Sequence, residues 1–144
     1  MTLQSWLSNG WLKKHETSTE EIQALLEKVE RDIKEASKEE ITADWRLSIA
    51  YNACLGSATI ALRASGYRIP SGGGHHYRTI QSLNFTLNPE QNIILTLEAI
   101  GKKRGIVNYD SAGTVTDAEV KESILLARDI YKLLKKWLKS QKIP

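Results

Sequence analysis

Apolar residues recur at helical spacing through most of this chain. Ser18 stands three residues before Glu21, the spacing of a capping box, and the apolar positions that follow predict an amphipathic helix from about residue 18 to 37. From about residue 44 to 65 the sequence is apolar on most sides and rich in Ala, Ser and Gly, which indicates a central helix that its neighbours approach closely. Gly66 is expected to end this helix, because glycine adopts the left-handed conformation at low cost.

Three more helices are predicted in the second half of the chain. The segment 76–87 indicates a short third helix, and Asn88 followed by Pro89 predicts the cap and the first position of a fourth. After Thr116, apolar positions alternate spacings of four and three, which is typical of a helix packed lengthwise on others. Strand patterns are nearly absent, so the sequence predicts an all-α, up-and-down helical bundle of four to five helices.

We expect a single domain over residues 1–144, with residues 1–16 forming an arm or short helix packed on the bundle. This first segment is rich in Trp and Leu before any strong helix start, so a contact with a partner protein is the alternative for it. Ten side chains are expected to be mostly buried in the core: Trp45, Ile49, Leu55, Ile60, Leu62, Ile94, Leu97, Ile124, Tyr131 and Leu134.

Composition narrows the classes of function. The net charge of +3 permits contact with phosphate without arguing for it, since 17 acidic residues are spread among 20 basic ones. Cys54 is the only cysteine, which excludes an intramolecular disulfide and a cysteine-based zinc site. No apolar run approaches about 20 residues and the start of the chain lacks a secretory pattern, so we expect a cytoplasmic protein without a membrane span.

Two of the three histidines follow a run of three glycines in the segment SGGGHHYR. His75 and His76 are adjacent and cannot easily bind one metal ion together, and no acidic motif completes a ligand set. The glycines serve a turn between helices in one interpretation. In the other, a histidine of this segment, with Arg78 beside it, transfers protons or contacts a phosphate.

A second basic group lies near the end of the fourth predicted helix. It contains Lys103 and Arg104, followed by Asn108 and Tyr109. The glycines of the chain do not match a phosphate-binding loop of the Walker type or a dinucleotide fingerprint, and no serine stands in a nucleophile elbow. An arginine near a proton-transferring group is nevertheless a minimal apparatus for cleaving RNA through its 2′-hydroxyl. The other interpretation of Arg104 and Tyr109 is structural, with an ion pair to Asp110 and a packed ring.

The strings AYNACL, ASGYR, GGGHHYRTIQSL and KKRGIVNYD, in this order, resemble an uncharacterised bacterial branch of the HEPN domain superfamily. The resemblance covers roughly residues 15–140. It implies a helical bundle, commonly a homodimer, without cofactor or metal. Many HEPN domains are metal-independent endoribonucleases whose motif is an arginine and, after four to six residues, a histidine. Several act as toxins neutralised by a nucleotidyltransferase partner, and others bind nucleotides or proteins without catalysis.

Tyr109 stands where that motif has its histidine, and Gly105 stands where a polar residue usually follows the arginine. Because a neutral tyrosine is a poor base at pH 7, the resemblance favours binding of RNA, nucleotide or a partner protein without efficient catalysis. The alternative is a metal-independent endoribonuclease toxin that uses Arg104 with His75, His76 or Tyr109. The phosphate-binding candidates are Arg104, Lys103, Arg78 and Asn108.

Overall fold

A computed structural model describes residues 1–71, 75–109 and 114–141, without the side chains of residues 106–109. The helices are α1 (Leu3–Ser8), α2 (Thr19–Ala36), α3 (Ala43–Ala64), α4 (His75–Ser82), α5 (Gln91–Tyr109) and α6 (Asp117–Ser140). A single 3-10 turn, Leu83–Phe85, extends α4, and two short strands, β1 (Lys13–Lys14) and β2 (Tyr67–Arg68), pair with each other. The predicted all-α bundle is confirmed, and the short α1 makes six helices among the described residues.

Local side-chain chemistry sets the starts of α2 and α6. The Ser18 hydroxyl accepts a hydrogen bond from the Glu21 backbone N–H at the start of α2. Thr116 and Glu119 form a complete capping box at the start of α6, each side chain bonding the other residue's backbone N–H. Gly66 follows α3 with φ of +94°, a conformation that glycine adopts without strain. The predicted bounds of α2 and α3 are therefore correct to within a residue or so.

One predicted helix start is wrong. The helix α5 begins at Gln91, two residues after Pro89. Asn88 has a φ of +47°, and its backbone N–H donates to the carbonyl of Leu83, so this residue closes the preceding turn. The chain therefore needs two further residues before helical geometry begins.

The central helix α3 packs against α2, α5 and α6 and carries much of the core. Six of the ten residues expected in the core are buried: Ile60, Leu62, Ile94, Leu97, Ile124 and Leu134. Ile49, Leu55 and Tyr131 are partly buried. Trp45 contradicts the prediction, since 67% of it is exposed. It lies on the same face of α3 as Asn52, seven residues on, and both residues are exposed.

The N-terminal segment packs on one end of the bundle. Trp6 and Leu12 are buried against Leu62, which forms a small apolar cluster separate from the main core. The antiparallel pair of β1 and β2 holds the segment to the residues that follow α3. Two residues per strand are too few for a sequence pattern, so this pair was not predicted. No helix in the described part of the chain is long and apolar enough to cross a membrane.

Candidate functional site

The buried ring of Tyr51, on α3, is contacted by two of the candidate residues. The ring of His76, in the first turn of α4, meets it edge-on with centroids 5.7 Å apart. The Arg104 guanidinium carbon, on α5, lies 5.5 Å from the centre of the same ring. Three helices distant in sequence thus bring an imidazole and a guanidinium to one phenol ring.

A glycine allows this close approach. A Cβ atom built at Gly101 would stand 2.8 Å from the Tyr51 hydroxyl oxygen and 3.2 Å from two of its ring carbons. Real Cβ atoms essentially never lie as close as 2.8 Å to another heavy atom, so Tyr51 would have to shift. Gly101 weakens the helix α5 as an isolated element, but it lets α5 pass over Tyr51 and bring Arg104 to the ring.

The electrostatics favour neutral forms of the two rings. Burial lowers the pKa of His76 below its ordinary value of 6.5, and the charges of Arg104 and His75 lower it further. Burial raises the pKa of Tyr51 above 10.0, although Arg104 opposes this. At pH 7 the site therefore holds a neutral imidazole, a neutral phenol and a permanent cation.

The positive charge of Arg104 is not paired with any carboxylate within residues 1–71, 75–105 and 114–141. Its Nε atom is buried and has no hydrogen-bond acceptor among the described residues. Asp110, the partner expected for a structural ion pair, lies outside the described residues. A buried guanidinium N–H without an acceptor favours an anion as the partner of this side chain.

His76 also lines a second feature, which we call the basic cleft. It has a volume of about 250 Å³, and its basic side chains are Arg63, Arg68, His75 and His76. The described side chains that line it include no carboxylate. Arg63 donates to Glu21 at 3.2 Å and keeps a buried Nε without an acceptor in the described structure, while Arg68 donates to the backbone carbonyl of Lys14.

Sequence reasoning did not include Arg63 and Arg68. Arg63 lies at the end of α3 and Arg68 in β2, on either side of Gly66. This closeness in the chain is the only sequence signal that could have indicated the two arginines as site residues. The sequence pattern does not show the strand pair that contains Arg68, nor that Arg63 and Arg68 line the same cleft as the histidines.

The remaining candidates lie elsewhere or outside the described structure. The guanidinium of Arg78 stacks on the Trp11 ring at 4.5 Å and lines a different pocket, although it stands only two residues after His76. Lys103 forms an ion pair with Glu119 at 3.6 Å. The side chains of Asn108 and Tyr109 are outside the described residues, so their expected roles stay predictions.

Other reactive groups have structural roles. Cys54 is buried in α3, and burial raises the pKa of its thiol to about 12, so it is a core residue and not a nucleophile. The third histidine, His15, bonds the Glu21 carboxylate at 2.7 Å. Across the ranges that the structure describes, no group of three or more His, Cys, Asp or Glu side chains is placed to hold a metal ion.

Comparison with family models, with curated proteins and with solved structures finds no match to this chain. The relation to HEPN domains therefore stays a prediction that rests on the short strings named above.

Proposed function

We propose that this protein binds the phosphate groups of RNA or of nucleotides with the basic cleft and Arg104, without efficient catalysis. The observation that carries the proposal is the convergence of basic side chains from α3, β2, α4 and α5 around His76. The resemblance to non-catalytic HEPN domains supports the same function.

The chemistry of the side chains suits a phosphodiester. Arginine presents a planar fork of N–H donors that matches phosphate oxygens, and it stays charged at every accessible pH. Arg63 and Arg104 each carry a buried N–H without an acceptor in the described residues, and an anion would supply one. A neutral His76 and the Tyr51 phenol add short-range donors and acceptors without adding charge.

Replacing Arg104 with alanine should weaken binding of single-stranded RNA by about tenfold to 150-fold, the range for a lost hydrogen bond to a charged group. The side chain pairs with no carboxylate in the described residues and gives up only its contact with the Tyr51 ring, so the melting temperature should fall by no more than a few degrees. Fluorescence anisotropy over a series of salt concentrations measures the effect. Loss of one phosphate contact lowers the slope of log K against log salt by about 0.7.

Arg31→Ala is the matched control, since Arg31 is exposed and lies ten residues along α2 from Glu21, or about 15 Å. It removes the same charge at a distance from the cleft and should leave both affinity and slope nearly unaltered. Equal losses in the two variants would show non-specific attraction by net charge and would refute the site. A large drop in the melting temperature of Arg104→Ala would show that Arg104 is structural.

A metal-independent endoribonuclease is the second candidate, and the pairing of a neutral imidazole with Arg104 favours it. His76 would remove the proton of a 2′-hydroxyl, whose oxygen attacks the adjacent phosphorus. The bond to the 5′-oxygen breaks, this oxygen takes a proton from water, and a cyclic phosphate is left. Arg104 would stabilise the extra negative charge on the phosphate oxygens during the attack.

For this candidate, we expect RNA cleavage in the presence of a chelator, its loss in His76→Ala, and its retention in His15→Ala. Because the pKa of His76 is lowered below 6.5, the base form persists at pH 7, and the rate should fall only as the pH drops below 6.5. Denaturing gels of labelled RNA over a pH series measure this. If the wild-type protein left the RNA intact, the endoribonuclease candidate would be refuted and binding without cleavage would remain the proposed function.

The resemblance also implies a homodimer and a nucleotidyltransferase-type antitoxin as partners, and both stay proposals. Exposed apolar side chains at Trp45, Leu95 and Leu125 offer surface for such contacts.

A further inference from the structure

An aromatic pocket lies on the other side of α4 from the basic cleft. Its volume is about 480 Å³, within the range of about 300–1,000 Å³ usual for small-molecule sites. Four aromatic side chains line it: Trp6, Trp11, Tyr77 and Phe85. None of them belongs to the site described above, although Tyr77 directly follows His76 in the chain.

The walls of this pocket are held by contacts among its own rings. Trp6 meets Trp11 edge-on with centroids 5.8 Å apart, and it meets Phe85 edge-on at 5.2 Å. Tyr77 differs from these rings because 65% of it is exposed and it has no ring contact among the described residues. A rigid aromatic wall beside an exposed tyrosine suits a flat ring as the occupant, since stacking needs a free face.

Charge and hydrogen bonding further restrict the chemical class of ligand that fits the aromatic pocket. The guanidinium of Arg78 lies over Trp11 at the pocket, so a cationic ligand such as a quaternary ammonium group would be repelled. Asn84 donates one hydrogen bond to Gln81 and, within the described residues, makes no other with its side chain. Trp6 carries an indole N–H without an acceptor in the same residues. A ligand with both donors and acceptors on its edge therefore fits this pocket better than a hydrocarbon ring.

We propose that the aromatic pocket receives an unpaired nucleobase of the RNA strand whose phosphates occupy the basic cleft. The choice of RNA rests on the proposed function, whereas the capacity to hold a base rests on the pocket alone. A nucleobase is flat, uncharged and hydrogen-bonding at its edge, and it stacks on aromatic rings. Because His76 and Tyr77 are adjacent on α4, one strand passing over this helix presents its phosphate to one side and its base to the other.

The test separates the base from the phosphate with two small probes, adenosine and ribose 5-phosphate, titrated calorimetrically at millimolar concentration. Tyr77→Ala should weaken adenosine binding about fivefold to 150-fold, the range for a single base–aromatic stack. It should leave ribose 5-phosphate binding unchanged. Trp45→Ala is the matched control, because Trp45 is equally exposed but lies on α3 outside the pocket, and it should alter neither probe.

The converse variant keeps the two proposals distinguishable. Arg104→Ala should weaken ribose 5-phosphate and leave adenosine unchanged, so failure of the phosphate site does not hide the base site. Absence of adenosine binding to the wild-type protein would overturn the inference. Equal weakening of adenosine by Tyr77→Ala and Trp45→Ala would also overturn it, since stacking would then be non-specific.

Discussion

Replacing Leu134 with alanine should lower the free energy of unfolding by about 2–5 kcal/mol. Leu134 is 0% exposed and lies on α6 within the main core, next to the central helix α3. Truncation removes buried methyl groups and leaves a cavity, because helices packed on several sides cannot close around it. Urea denaturation followed by circular dichroism measures the change as a shift of the midpoint.

Leu125→Ala provides the control on the same helix. It makes the same chemical change at a residue that is 59% exposed, so it should change stability by less than about 0.5 kcal/mol. Comparable losses in the two variants would mean that the register of α6 against the core is wrong.

Replacing Gly101 with alanine is expected to destabilise the protein by up to about 2 kcal/mol, which is the usual overpacking cost of about 1–3 kcal/mol less the gain from the better helix propensity of alanine. The propensity gain is about 1 kcal/mol at most. The new methyl group would meet the hydroxyl oxygen and two ring carbons of Tyr51 at 2.8–3.2 Å, and this side chain is only 3% exposed, so packed neighbours oppose its displacement. Steric cost should therefore exceed the helix gain, and thermal denaturation measures the net result.

Gly105→Ala tests the opposite outcome four residues further along α5. Beyond its chain neighbours and the backbone of its own helix, no described atom lies within 4 Å of a Cβ at Gly105, so alanine should stabilise the protein by up to about 1 kcal/mol. If Gly101→Ala proved as stable as Gly105→Ala, α5 would not pack on Tyr51, and the convergence of His76 and Arg104 would lose its basis. RNA binding should weaken in Gly101→Ala only, because displacement of Tyr51 disturbs both side chains that contact it.

The sequence by itself determined the helices and most of their ends. Periodic apolar positions and the caps at Ser18 and Thr116 are local signals, and α2 and α6 begin where those signals stand. The sequence also indicated which side chains could handle a phosphate, since arginine and histidine have that chemistry wherever they lie. It failed at Trp45, because a segment that is apolar on most sides does not show which of its faces stays exposed.

Only the tertiary structure decided which candidates meet. His76 and Arg104 both contact the ring of Tyr51. Arg63 and Arg68 line the basic cleft together with His76, whereas Arg78 packs on Trp11 in a different pocket. The tertiary structure also shows why a glycine stands at position 101, where the sequence alone indicates only a low helix propensity: α5 passes close to Tyr51 there. The physical reason is that helix formation depends on residues three or four positions apart, whereas a site depends on how whole helices pack. Packing is the sum of many weak, non-local contacts, and no short stretch of the chain contains that information.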